Sequence, residues 1–293
     1  MLKYMLFMIL FFSAQVMSSV TNWVDFELRN GKITLPVKIY GIDSVAIIDS
    51  TAQSNFIGVG FSTKHIDLFS KRGIVEIRDN RGERRVERFA NVNVHIFDVD
   101  MPFKELTPIN ADGYDLVLGV PFFREHIVQI DYPKSRLRLI SHASVDISKY
   151  SNIEMVSKRE PLLSANTLLK NDPSLKVFKT ELNGRSFWLT LDTTELNGIK
   201  ILKDDASDLG IKMNPNEKTT IINSVKIGPF NLENVSVSLL DFGEDIMNSG
   251  KVTTGTRVEQ SVESKGVIGF DILQHFIITL DFKNNYALLQ VGE

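Results

Sequence analysis

The sequence predicts a mostly β protein made of two homologous lobes, and three observations carry that reading. From Val24 onward, short β-branched and aromatic runs alternate with turn residues, while few windows hold a helical period. Two segments are versions of one another: Val45-Ala46-Ile47-Ile48-Asp49-Ser50-Thr51-Ala52 and Phe187-Trp188-Leu189-Thr190-Leu191-Asp192-Thr193-Thr194 each run an apolar strand into an Asp followed by hydroxyl side chains. At a similar distance downstream, each half has an apolar stretch ending in glycine, Leu116-Val117-Leu118-Gly119 and Val267-Ile268-Gly269. The residues that follow align without a gap, Leu118 to Asp131 against Ile268 to Asp281, with Gly, Ile and Asp coinciding. A repeat of such long period describes two lobes, not a solenoid.

Taken in order, the chain opens with the layout of a secretory signal. Lys3 gives a positive start, Met5 to Phe12 is wholly apolar, and Ser13 to Ser19 supplies small residues around a cleavage point after Ser18 or Ser19. Residues 1–19 therefore read as a signal peptide, and the protein as exported, periplasmic or secreted. The apolar run is short for a membrane span, so an uncleaved anchor is the lesser alternative and no stable membrane association is expected after cleavage. Residues 20–140 form the N-terminal lobe. Strands are expected over Ile33–Tyr40 and Val92–Phe97, a hairpin over Ile74–Phe89 turning at Asp79-Asn80-Arg81-Gly82, and a closing strand over Arg136–Ile140. Residues 141–175 read as a polar, poorly periodic linker with Pro161 and Pro173. Residues 176–293 form the C-terminal lobe, with a helical window over Leu202–Leu209 and strands over Val235–Leu240 and Tyr286–Gln290. Short helices are expected after Gly119 and Gly269.

Bulk composition narrows the function. The 293 residues are 43% hydrophobic and 24% charged, which suits a soluble globular chain large enough for two modest cores. A net charge of −3 and the lack of a long basic block argue against nucleic acid as a partner. The chain has no Cys, which excludes disulfides, thiol catalysis, Cys-ligated zinc and a lipidated Cys anchor. His65, His95, His126, His142 and His275 show no metal-ligand spacing, and no Gly-x-Ser-x-Gly element is present. No metal or organic cofactor is implied. Asp131 and Asp281 also coincide in the repeat, but each precedes a short turn, where Asp caps backbone N–H groups. The arginine-rich stretch from Arg78 to Arg88 is interleaved with Asp79, Glu83 and Glu87 and reads as a solvated hairpin.

A duplicated unit that supplies one carboxylate per copy can bring Asp49 and Asp192 together at its interface, where the pair would share a proton and activate water. These residues carry a resemblance. An apolar strand entering Asp-Ser/Thr, a later apolar-apolar-Gly segment and an Ile/Leu-Asp-Tyr/Phe turn resemble the aspartic protease family, over roughly residues 30–140 and 178–291. Each half is similar to a retropepsin-type unit. The whole is similar to a two-lobed pepsin-type enzyme, or to a bacterial fused pair of retropepsin-like domains.

The resemblance implies two β-barrel lobes with short helices and a cleft between them. It implies Asp49 and Asp192 as the catalytic dyad. Ser50, Thr51, Thr193, Thr194, Gly119 and Gly269 would support the active-site loops, and the hairpin with Arg78, Arg81 and Gly82 would be the substrate flap. The substrate would be an extended peptide or protein, and one chain carrying both Asp residues would work as a monomer. The sequence departs from the family pattern Asp-Thr/Ser-Gly: Thr51 and Thr194 stand where glycine is expected. Ala52 fits the next position; Glu195, its counterpart, fits less well, and the flap lacks the Tyr of pepsin-type enzymes. Three readings stay open: an exported aspartic endopeptidase, a catalytically silent relative that binds peptides or an envelope protein, and an envelope scaffold with a vestigial cleft.

Overall fold

The computed structural model describes residues 20–79, 82–111, 113–157, 175–208, 219–240, 262 and 264–292. The first half runs β1 (Val24–Asp25), β2 (Glu27–Arg29), β3 (Lys32–Ile39), β4 (Ile42–Ile48), β5 (Phe56–Gly58), α1 (Val59–Lys64), β6 (Ser70–Asp79), β7 (Gly82–Ile96), β8 (Val99–Ile109), β9 (Leu116–Leu118), α2 (Val120–Glu125), β10 (Ile127–Asp131) and β11 (Arg136–Ile140). The second runs β12 (Ile153–Ser157), β13 (Lys176–Leu182), β14 (Arg185–Leu191), β15 (Ile199–Leu202), α3 (Lys203–Asp208), β16 (Thr219–Ile227), β17 (Phe230–Leu240), β18 (Gly266–Ile268), α4 (Phe270–Leu273), β19 (Phe276–Asp281) and β20 (Tyr286–Val291).

The strand that enters each Asp is set by a tight turn. Tyr40 and Gly41, between β3 and β4, have φ of 49° and 81°; Asn183 and Gly184, between β13 and β14, have 47° and 79°. Two consecutive positive φ values are the turn whose twist matches a two-residue hairpin. The sheets then repeat one topology. In the first lobe the order β3-β4-β9-β5-β8-β7 closes on itself through β3–β7, with β4 parallel to β9 and β5 parallel to β8. In the second, β13-β14-β18-β15-β17-β16 closes through β13–β16, with β14 parallel to β18 and β15 parallel to β17. Both lobes are therefore small closed barrels with the same crossovers.

The lobes join through β1-β11-β10-β19-β20-β12, part of a twelve-stranded sheet. At its centre β10 pairs antiparallel with β19, Gln129 opposite Thr279 and Val128 opposite Leu280. The repeat aligns Gln129 with Thr279, so the axis relating the two lobes passes through this pair. Gln129 Nε2 donates to Thr279 Oγ1 there at 2.8 Å. Aromatic side chains cross the same junction in both directions. Phe123 stacks on Phe282 at 4.9 Å, and Tyr132 packs on Phe270 at 6.1 Å.

The structure extends some expectations. The expected hairpin over Ile74–Phe89 is the middle of a longer one, β6 and β7, running from Ser70 to Ile96. Its strands pair Arg78 with Glu83 and Asp79 with Gly82; Asn80 and Arg81 lie outside the described residues, as do the side chains of residues 77–83. Within the stretch 141–175, residues 147–149 form a 3-10 turn and β12 pairs with both β13 and β20. This part is a structural strand, because Ile153 and Met155 bury their side chains while Glu154 between them stays outward. The expected signal peptide lies outside the described residues.

Phe282 is 1% exposed and fills the junction. Phe282→Ala is expected to cost about 3–5 kcal/mol by cavity formation. Tyr150→Ala, at a 61% exposed site, should cost next to nothing. Urea denaturation midpoints of the two variants test this.

Candidate active site

Each Asp sits one residue beyond a strand that is held parallel to its apolar-Gly neighbour. Asp49 N–H donates to the Leu118 carbonyl at 2.9 Å, and Asp192 N–H to that of Ile268 at 3.0 Å. These bonds extend the parallel ladders of β4–β9 and β14–β18 by one rung and fix where each carboxylate starts. The glycines that follow β9 and β18 are needed for close approach. A Cβ on Gly119 would lie 2.3 Å from the Ser54 carbonyl oxygen and 2.4 Å from that of Ala52. On Gly269 it would lie 2.2 Å from the Asn197 carbonyl oxygen and 2.7 Å from that of Glu195. That space lets each Asp loop hydrogen-bond to the start of its short helix: Val120 N–H to Ala52 O at 2.7 Å, and Phe270 N–H to Glu195 O at 2.8 Å. Gly119 N–H also donates to Asn55 Oδ1 at 2.8 Å, whereas Gly269 N–H donates to the Gly198 carbonyl at 2.7 Å.

Ser50 and Thr193 bind the two loops to each other. Ser50 Oγ donates to the Leu191 carbonyl at 2.8 Å and accepts from Thr193 N–H at 3.1 Å. Thr193 Oγ1 donates to the Ile48 carbonyl at 2.8 Å and accepts from Ser50 N–H at 3.1 Å. Both side chains are buried, at 1% and 2% exposure. Each half thus satisfies buried backbone groups that the other half leaves open.

Thr51 and Thr194, in the positions expected to be glycine, turn back onto their own Asp. Thr51 donates to Asp49 Oδ1 from its N–H at 2.8 Å and its hydroxyl at 2.7 Å, and Ala52 N–H adds a third bond at 3.0 Å. Thr194 donates to Asp192 Oδ1 from N–H and hydroxyl, both at 2.7 Å. Neither threonine has a positive φ, so the loop asks for no glycine backbone there.

The carboxylates feel each other. Burial first, and then the charge of Asp49, push Asp192 up to about 6, against the Thr194 hydroxyl and N–H bonds that favour its anion; Glu195 adds a further upward push. Burial also works against ionisation of Glu195, but bonds from Lys200 and Asn197 outweigh it and hold this carboxyl below its ordinary range. Lys200 Nζ lies 2.5 Å from Glu195 Oε2, and Asn197 donates to Oε1 from N–H at 2.9 Å and Nδ2 at 2.7 Å. The buried phenol of Tyr132 is raised by burial and by Asp192, so it stays neutral.

The structure therefore gathers Asp49, Ser50, Thr51, Gly119, Asp192, Thr193, Thr194 and Gly269 in one place. It does not show Arg78, Arg81 and Gly82 with them, because their side chains lie outside the description. Asp131 and Asp281 are turn caps: Asp131 accepts from Lys134 N–H at 3.2 Å and Arg136 Nε at 2.9 Å, and Asp281 accepts from Asn284 N–H at 3.0 Å and Nδ2 at 2.8 Å. Sequence reasoning missed Asn55, Lys200 and Tyr132. Only Tyr132 left a trace, as the hydroxyl-bearing member of the aligned pair Tyr132/Phe282. Among the described residues no His, Asp and Glu side chains converge as a metal site would require. A cavity of about 380 Å³ lies elsewhere, between the start of β4, α1 and the stretch with Asn110, Ala111 and Gly113 to Asp115, at the opposite end of β4 from Asp49.

The aspartic proteinase from Irpex lacteus superposes with a TM-score of 0.55 at 12% identity, over 93% of this chain and 98% of that one. The chain has the aspartic proteinase fold. Its two homologous β-barrel lobes carry short helices, and the Asp loops meet between them. No family profile and no curated protein sequence matches the chain.

Two outcomes are expected. Ser50→Ala and Thr193→Ala each leave a buried carbonyl and N–H unpaired and should cost about 2–4 kcal/mol by urea denaturation. The Asp192 carboxyl, raised in the folded state, stabilises the fold fully below its unfolded value, and that contribution is lost as pH rises through about 6. Asp192→Asn should therefore raise stability by about 1–2 kcal/mol at pH 8 and change it little at pH 4. Thermal melts at the two pH values check the sign.

Proposed function

We propose that the protein is an aspartic-type endopeptidase that hydrolyses peptide bonds in an extended peptide or protein, with Asp49 and Asp192 as its dyad. The observation that carries the reading is the buried cross of Ser50 and Thr193, which presents one carboxylate from each lobe at a common site. Two carboxylates that feel each other's charge in a buried site share one proton, as in the dyads of aspartic proteases. The charged member takes a proton from water as the water oxygen attacks the scissile carbonyl, and the protonated member supplies its proton to the carbonyl oxygen. No covalent enzyme intermediate forms. Because Asp192 is pushed to about 6, the shared proton is retained in mild acid and lost above that range. Activity should therefore fall as pH rises past about 6.

The Met1–Ser19 pattern supports export, to the periplasm or outside the cell, and the presence of both Asp residues in one chain supports a monomer. The duplication within one chain fits a fused pair of retropepsin-like units. A second reading, a peptide-binding relative that does not cut, is favoured by one observation: Thr51 and Thr194 add side chains where the family pattern has none.

Cleavage of a mixed peptide library from pH 3 to 8, followed by mass spectrometry, separates the two. Under the peptidase reading, Asp49→Asn and Asp192→Asn each reduce cleavage at least about a thousandfold while melting as folded proteins. Full activity in either variant would sink it. Binding without products at every pH would favour the silent relative.

A further inference from the structure

The two halves of the site are not equivalent, and the difference lies in the fourth residue of each Asp loop. In the first loop this is Ala52, whose N–H donates to Asp49 Oδ1 at 3.0 Å. In the second it is Glu195. Both loops share a longer turn bond, from Ala52 N–H to the Asp49 carbonyl at 3.3 Å and from Glu195 N–H to the Asp192 carbonyl at 3.4 Å, but only Ala52 also reaches its carboxylate. Among the described residues, Asp49 Oδ1 thus accepts three hydrogen bonds and Asp192 Oδ1 two. Hydrogen bonds to a carboxylate favour its charged form, so the anion of Asp192 has one such bond fewer to support it.

Glu195 adds a charge on one side only. Its carboxylate is 15% exposed, anchored by Lys200 at 2.5 Å and by both nitrogens of Asn197. Its loop is also pinned from the first lobe: Leu196 packs so closely on the β2–β3 turn that a Cβ on Gly31 would lie 2.0 Å from Leu196 Cδ2. The groups that face Asp192 are Asp49 across the pair, Glu195 on its own loop and the neutral Tyr132 from the first lobe. Lys200 pairs with Glu195 and offsets part of its charge. The first loop has only the methyl group of Ala52 at the matching place.

We infer that the Glu195–Lys200 pair is a positioning device that places the shared proton on Asp192 and leaves Asp49 as the base. This rests on the dyad reading above and gives it a direction. Water loses a proton to Asp49 as its oxygen bonds to the carbonyl carbon, and Asp192 gives its proton to the carbonyl oxygen. When the resulting gem-diol collapses, the C–N bond breaks and Asp49 passes its proton to the leaving nitrogen. A hydroxyl of the gem-diol returns a proton to Asp192. The products are an acid and an amine, and the dyad ends as it began.

Carboxyl ¹³C NMR of Asp-labelled protein tests the placement without any substrate; the Asp49 and Asp192 signals are assigned from the two Asn variants. At about pH 5 the Asp192 carbon is expected to read as protonated. Glu195→Gln keeps the size and most of the hydrogen bonds but removes the charge, and should lower the Asp192 midpoint by about half a unit to one unit. Lys200→Met leaves the Glu195 charge uncompensated and should raise it by a similar amount. A proton found on Asp49 in the unmodified protein overturns the inference, as does an Asp192 midpoint unmoved in whichever variant folds. A purely structural role for Glu195 would alter melting but not these midpoints. If the peptide library is not cut while the midpoints move as stated, the peptidase reading falls and the proton placement stands. If peptides are cut and the midpoints do not move, the reverse holds.

Discussion

The buried exchange between Ser50 and Thr193 is the constraint on which the site depends. Each hydroxyl donates to a strand carbonyl of the other half and accepts an N–H from the other loop. At 1–2% exposure, water cannot substitute for these partners. A buried polar group left unpaired costs about 1–3 kcal/mol, so separating the loops would forfeit several times that amount. Neither half can satisfy its own Asp loop. The requirement for a second copy is thus written into the residue that follows each Asp, and each Asp is the neighbouring residue of the join.

Everything around the cross serves to deliver the two loops to it in register. Within each lobe, the parallel pairing of β4 with β9 and of β14 with β18 carries the Asp to a defined height, and Gly119 and Gly269 let the loop fold back over the strand end. Between lobes, the β10–β19 pairing sets the lateral position, with Gln129 and Thr279 on the axis of the repeat. The exchange of Phe282 and Tyr132 across that axis fixes the spacing, since each ring occupies space left by the other lobe's short helix. The same residues that make the repeat visible in the chain are the ones that touch the axis.

That is why so much of the architecture could be read from the amino-acid sequence. Strand periodicity and the Asp and Gly landmarks repeat, and a repeat doubles the weight of each signal. The reading weakened wherever the halves differ. Lys200 lies on a strand, and nothing local indicates that its side chain returns to Glu195. Asn55 caps Gly119, but its counterpart glycine is served by a backbone carbonyl, so no repeated asparagine exists to notice. β12 looked like linker because its two inward residues, Ile153 and Met155, are too few to make a pattern. The turn-capping of Asp131 and Asp281 was legible because an Asp at the end of a strand, before a turn, has an immediate local use.

Threonine in place of glycine at 51 and 194 illustrates how a departure from a family pattern should be weighed. What the loop needs at this position is an N–H aimed at the carboxylate, and both threonines supply it at 2.7–2.8 Å. What glycine usually offers beyond that is a left-handed backbone or room for a neighbour. Neither threonine has a positive φ, and each hydroxyl uses the space to donate to the same carboxylate oxygen at 2.7 Å. A hydrogen bond to a charged acceptor contributes about 1.5–3 kcal/mol. The threonines therefore favour keeping one member of the pair ionised in mild acid, despite burial and despite its neighbour. The side chains that break the pattern are hydrogen-bond donors to the Asp of their own loop.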